Sequence, residues 1–311
     1  MADSASLPLT LRCGGVAPVE AACDGELLLR YVCAPKTDPI ESPKPYFHPL
    51  RTLRGNVVTI FRPTDHPWHH GLAMTSANLS GQNFWGGPTY VDGKGYIELP
   101  NRGRIEHREW LEQRCDGARV SVGETLEWIS SEGAKWVAEE RRFAVSVPNR
   151  DAGWWALDLG FRFRNVRGEK LSFGSPTTAG RPQAGYGGLF WRGPRSFLSG
   201  SAIAGGGLDG PAIMGQRAPW LAFRGRHDGT LEHSTLVLLD HPSNLRHPTQ
   251  WFVRNEGYSG ACCAFMFDKE YPLAPDEEFR LNYRVIVSDG TWEAGPCQEA
   301  WNAYSKLPAL V

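Results

Sequence analysis

Three of the chain's nine histidines fall within five residues, in the segment Asp65-His66-Pro67-Trp68-His69-His70-Gly71. Imidazole titrates near neutrality and is the commonest metal ligand, so histidines this crowded point to proton transfer or metal binding. Pro67 disfavours a helix, and Gly71 lets the backbone turn back. In an extended path His66, Trp68 and His70 would point one way and His69 the other. At most two of the three rings would then face one ligand. Asp65 could orient one ring through its Nδ1–H, as carboxylates behind catalytic or metal-bound histidines do. Two chemistries fit this pattern. His66, His69 and His70, with His107, could serve as general acid and base. Alternatively, His66 and His70 with His48 could hold a divalent ion that polarises a carbonyl or activates water. The HExxH zinc signature is absent.

Two further segments suit a small polar ligand. Ser175–Arg192 interleaves glycines with Arg181, Tyr186, Phe190, Trp191 and Arg192. Glycines permit close backbone approach, aromatic faces stack on the C–H face of a sugar ring, and guanidinium forks meet hydroxyl, carbonyl or carboxylate oxygens. The glycines form neither GxGxxG nor a Walker pattern, so no nucleotide cofactor is expected. Asp240-His241-Pro242 repeats the Asp-His-Pro of the first turn, and His247-Pro248 and Trp251 follow it. Sites commonly sit on loops hung from a rigid sheet, so the two turns are expected to converge on one cleft. Arg181, Tyr186, Trp191, Arg192, His241, His247 and Trp251 would form its sugar-facing wall, with His48 beside them. Glu139 and Glu140 are strand neighbours facing opposite ways, so one at most lines a cleft. Glu98, Glu106, Glu127 and Asp209 are further carboxylates.

The elements that must position these groups are strands. Leu157, Leu159, Phe161 and Phe163 alternate with polar residues, as do Leu281, Tyr283, Val285 and Val287, which is the two-residue period of a half-buried strand. Similar runs occur at Glu26–Cys33, Asn56–Phe61, Arg119–Trp128, Trp136–Val147, Leu221–Arg224, Ser234–Leu239 and Ala261–Phe267. Turn signals such as Asp92-Gly93, Asp116-Gly117, Asp228-Gly229 and Asp289-Gly290 separate them. One helix is expected, from about Cys297 to Ser305, closing one end of a sheet. The glycine-rich stretch 174–215 reads as a long ordered loop over a binding cleft. The whole describes an all-β fold, a large antiparallel β-sandwich with a short C-terminal helix, in a single domain over 1–311. Alternating βαβ units are absent, which excludes a Rossmann domain.

Composition narrows the partners. With 33 basic and 34 acidic residues the net charge is −1, which gives no electrostatic reason to expect nucleic acid or an anionic membrane. The longest apolar runs are far too short to span a bilayer. Met1–Leu11 has neither a basic nor a sustained apolar stretch, so no signal peptide and a cytoplasmic location are expected. Seven cysteines is an odd number, and neither the ten-residue spacing of Cys13, Cys23 and Cys33 nor the adjacent Cys262-Cys263 is a zinc pattern. They read as small buried hydrophobes in a reducing compartment.

The motifs Tyr46-Phe47-His48-Pro49-Leu50, Arg62–Leu72, Asn83-Phe84-Trp85-Gly86-Gly87, Ser175–Arg192, Asp240–Arg254 and Pro272–Glu278 through Asp289-Gly290 cover most of the chain. In them it resembles a bacterial family of soluble proteins loosely labelled PmoA-like. The methane-oxygenase association of that label fits poorly, since a membrane subunit is built of spanning helices. What the resemblance implies is a β-sandwich of galactose-mutarotase-like style, found beside enzymes that process sugars and glycosides. The residues and the resemblance together lead to the expectation of an enzyme that cleaves or isomerises a glycoside or keto-sugar by histidine acid/base chemistry, with a divalent ion as a candidate cofactor. A non-catalytic sugar-binding or sensor protein is the alternative, and a metal-dependent oxygenase the third.

Overall fold

The computed structural model describes residues 9–311. Most of the amino-terminal stretch behind the signal-peptide reading lies outside them. Two large sheets carry the architecture, and every strand pairing within them is antiparallel. The first has eight strands in the order Leu9–Arg12, Val19–Cys23, Glu26–Val32, Tyr46–Leu50, Leu72–Thr75, Gly188–Arg192, Gly260–Cys263 and Trp251–Arg254. The second has nine, and its long members Glu278–Asp289, Trp154–Asn165, Lys135–Ser146, Arg119–Ile129 and Arg104–Cys115 lie side by side.

The inner faces of both sheets meet in one apolar core. Trp155, Leu157, Leu159, Phe161 and Phe163 enter it from the second sheet, while Leu72, Met74, Leu189, Trp191, Trp251 and Ala261 enter it from the first. This follows from the strand period, in which every second side chain reaches the same face. The helix Ala294–Tyr304 covers the outer face of the second sheet, placing Cys297 and Tyr304 against Trp220, Val237, Leu239 and Ile286.

The outer face of the first sheet is also apolar, which an ordinary two-layer sandwich does not require. Phe190, Phe252 and Cys262, each one residue from a core side chain, form a second cluster there with Trp85, Ala264 and Phe267. That face is the floor of the site.

Two expectations about elements need correction. Asn56–Phe61 makes isolated bridges only, Val57 to Arg51 and Phe61 to His70. Its backbone hydrogen bonds are divided among Leu50, Arg192 and Gly71, so it crosses strand ends instead of running along one. The stretch 174–215 is not one long loop. It supplies the central strand Gly188–Arg192 and the short strands Ser201–Ala204 and Leu208–Asp209. No disulfide joins the cysteines among the described residues. No helix among the described residues is long and apolar enough to cross a membrane.

Candidate active site

The histidine segment folds as consecutive turns. His66 N–H donates to Pro63 O (3.0 Å), His69 N–H to His66 O (3.0 Å), and Arg62 N–H to His69 O (3.1 Å). This brings His66 over His69, three residues on, with ring centroids 4.6 Å apart and planes 9° from parallel. The extended path that would pair His66 with His70 is therefore not taken. Gly71 then returns the chain at a positive φ of 51°, and a Cβ there would lie 2.2 Å from Phe47 O.

One carboxylate and one guanidinium hold the stacked pair from behind. His66 Nδ1–H donates to Asp65 Oδ2 (2.8 Å). Arg192 Nη2 donates to the same oxygen (2.7 Å), while its Nη1 donates to His69 Nδ1 (2.7 Å). Partial burial pushes the Asp65 carboxyl up, but the bonds from His66 and Arg192 and the Arg192 charge outweigh it and hold the pKa near 2. Burial, with His66 and Arg192 beside it, holds His69 well below the usual imidazole range, so it is neutral. These partners assign the tautomers. Arginine can only donate, so His69 Nδ1 accepts and the ring carries its proton on Nε2. The ionised Asp65 can only accept, so His66 Nδ1 carries a proton, and in the ring's neutral form the lone pair is on Nε2.

Both rings line a cleft of about 350 Å³ on the outer face of the first sheet. Its walls are aromatic. Trp85 and Tyr186 pack at 4.6 Å, Tyr186 and Phe252 at 5.5 Å, and Tyr258 lies 5.4 Å from His69 with the Arg192 guanidinium 4.4 Å over its ring. Arg181 donates to the Tyr96 hydroxyl, which is 3.0 Å from the Tyr186 hydroxyl. Arg254 sits at the rim, over the Phe252 ring at 5.3 Å. No Asp or Glu side chain lines this cleft among the described residues.

A buried lysine fixes the cleft's loops. Lys44 Nζ donates to the carbonyls of Trp85 (2.8 Å), Glu41 (2.9 Å), Ser42 (3.1 Å) and Trp68 (3.4 Å). Burial lowers its pKa to about 7 against the opposing pull of Glu41; the carbonyl cage favours the charged form. Glu41, also buried, accepts from His70 Nε2 and from Arg62, both at 2.8 Å. Gly86 and Gly87 have positive φ and press on Trp68, where any Cβ would lie 2.5 Å from its side chain. The histidine turn and the Trp85 wall are thus joined through Lys44 and Trp68.

The expected site residues divide sharply. His66, His69, Arg181 and Tyr186 line the cleft, and Arg192 lies immediately behind it. Trp191 and Trp251, expected in the wall, face the opposite way. Both are fully buried in the core and donate their indole N–H to Val58 O and Ala218 O. Strand alternation turns Phe190 and Phe252 to the cleft side instead, Phe252 in its wall and Phe190 buried against His69 and Trp85. His70 is buried behind the turn, and burial with Lys44 and Arg62 nearby lowers its pKa to about 2. His48 bonds Thr59 Oγ1 (2.9 Å), and burial with Arg51 and Arg30 nearby lowers its pKa to about 4.

His107 is remote, on the strand Arg104–Cys115 at the far edge of the second sheet, bonded to buried Glu124 (2.6 Å). His241 bonds Ser243 and Leu307 O, and His247 bonds buried Asp240, so the second Asp-His-Pro turn does not converge on the cleft. Each of His48, His66 and His70 has one nitrogen engaged by a different partner. Among the described residues no three His, Cys, Asp or Glu side chains are grouped to hold a metal ion.

Sequence reasoning missed Trp85, Tyr96, Phe252, Arg254, Tyr258 and Lys44. The alternation of Trp191 with Phe190 and Arg192, and of Trp251 with Phe252, carried the signal for the floor. Nothing local marked Lys44 or Tyr258.

No curated protein matches the chain in sequence. Among solved structures, the galactose 1-epimerase from Lactobacillus acidophilus NCFM is 9% identical, with a TM-score of 0.43 over 92% of this chain and 100% of its own. A candidate kojibiose phosphorylase from the human microbiome is 8% identical, with a TM-score of 0.36 over 93% of this chain and 30% of that one. Likeness at this level says nothing about the cleft. A family model matches residues 18–302, nearly the full length, and the chain belongs to that family, the family of unknown function DUF6807.

Proposed function

We propose that this chain is a carbohydrate-active enzyme that binds a saccharide or glycoside in the cleft and acts on it by histidine acid/base chemistry. The observation that carries this reading is the pair of stacked imidazoles in opposite tautomers, offering one lone pair and one N–H to the same space. A base beside a hydrogen-bond donor is what removal of a proton next to a carbonyl requires. His66 Nε2 takes the proton, and His69 Nε2–H stabilises the oxygen on which charge develops. Asp65 stabilises the imidazolium that forms on His66, and Arg192 keeps His69 in its donor tautomer. Trp85, Tyr186 and Phe252 supply faces for the ring of a sugar. On a keto-sugar this step leads to isomerisation, or to loss of a glycosidic oxygen from the carbon beyond.

The test is solvent exchange. Purified protein incubated with keto-sugars and keto-glycosides in D₂O is expected to wash deuterium into the position next to the carbonyl, read by proton NMR. His66→Gln should abolish the exchange. Saccharide binding with no exchange or product from any member of the panel would replace the enzyme by a binding protein. Elemental analysis of wild type and His66→Ala tests the divalent ion expected at His66, His70 and His48; an ion lost in the variant would move the chemistry onto the metal.

A further inference from the structure

Arginines elsewhere in this chain mostly engage a carboxylate or a backbone carbonyl. Arg284 grips Asp158 through two nitrogens (2.6 and 2.9 Å), Arg141 pairs with Glu139 (2.7 Å), and Arg217 and Arg246 donate to carbonyl oxygens. The two cleft arginines differ. Among the described residues the Arg181 guanidinium meets the Tyr96 phenol and ring, that of Arg254 lies over the face of Phe252, and neither is paired with a carboxylate. Glu256, two residues beyond Arg254, is exposed, and no ion pair joins the two among the described residues. Among the described residues the cleft lining therefore holds two guanidinium groups and no carboxylate, and the adjacent Asp65 is already paired with Arg192. Low-dielectric walls focus such a potential and raise the local concentration of anions.

We propose that the saccharide taken by this cleft carries an oxyanion, a carboxylate or a phosphate ester, held by Arg254 with Arg181 assisting. A planar fork with uncommitted donors binds either group through two parallel hydrogen bonds. A neutral sugar would leave both charges facing only hydroxyls. The position also suits selection, because Arg254 ends the edge strand Trp251–Arg254, partly exposed, and lines the cleft. The proposal rests on the saccharide reading above and adds the sign of the ligand's charge.

Titration calorimetry of the full chain at low salt tests it with glucose, glucuronate, glucose 6-phosphate, acetate and inorganic phosphate. At least one charged sugar is expected to bind roughly tenfold or more tighter than glucose, the scale of a charge-assisted hydrogen bond. That preference should shrink with added salt and in Arg254→Gln, and return in part in Arg254→Lys. Thermal melting confirms that both variants fold. Which charged sugar wins separates a carboxylate from a phosphate. Equal binding of glucose and both charged sugars would overturn the charge proposal and leave the saccharide reading standing. Acetate or inorganic phosphate binding as tightly as the charged sugars would keep the anion site and remove the sugar. No binding by any of the five would overturn both.

Discussion

The chain contains Asp-His-Pro twice, and the two copies have different fates. At residues 65–67 the carboxylate is about a third exposed, accepts from His66 and Arg192, and stands behind a ring that opens on the cleft. At residues 240–242 the carboxylate is fully buried. It accepts from Asn244 (2.7 Å), the Thr249 amide (2.8 Å) and His247 (2.7 Å), while His241 ties down the carbonyl of Leu307. The first copy holds two imidazoles in set tautomers, and the second knots the C-terminal segment to the sheet. What separates them comes from outside the tripeptide: the distant Arg192 for one, and for the other the nearby Asn244 and Thr249 with the Trp301 indole stacked over His247. A tripeptide fixes which groups are present, and its surroundings decide what they do.

The sharpest way to break this comparison is to exchange the losses. His66→Gln is expected to lower turnover by roughly 10²–10⁴ and leave the melting temperature nearly unchanged. His241→Gln should do the reverse, keeping turnover and melting earlier. Equal losses of turnover in the two variants would end the distinction. Next come the carboxylates. Asp240→Ala leaves buried donors without an acceptor and should cost about 3–5 kcal/mol in urea unfolding. Asp65→Ala, on a carboxylate about a third exposed, should cost less than Asp240→Ala while losing activity.

The last comparison is in pH. His48, His69 and His70 around the first turn are neutral when folded, with pKa values below the 6.5 of an unperturbed imidazole. Below pH 6.5 the unfolded chain binds protons that the folded chain does not, so stability falls as pH drops from 6.5 toward 4. Each histidine contributes up to about 1.4 kcal/mol per pH unit. Urea midpoints at pH 7, 5.5 and 4.5 read the slope, and His48→Gln should flatten it. A midpoint independent of pH over this range would contradict the buried, neutral assignment.

Much of the fold is legible in the residues because strand alternation is a local property. The runs around Leu157 and Leu281 became the long strands Trp154–Asn165 and Glu278–Asp289, and the helix expected over Cys297–Ser305 spans Ala294–Tyr304. The candidate site is legible only in part. His66, His69, Arg181 and Tyr186 stand out by type and spacing. Trp191 and Trp251 were misplaced because their strands are apolar on both faces, so composition could not say which face held the core. His241 and His247 misled because a repeated motif was taken to imply a shared location. Lys44 was invisible because four carbonyls from three separate loops make its environment, and backbone carbonyls leave no mark in a sequence.

The two-faced strands of the first sheet have a consequence for altering this protein. Along Gly188–Arg192 and Trp251–Arg254 the odd-numbered side chains belong to the interior and the even-numbered ones to the cleft. A library restricted to positions 252 and 254 would therefore recut the cavity while the core packing of their neighbours stays as it is. Selection acting on the same strands could explore new ligands with the scaffold held fixed, one residue out of register from every change.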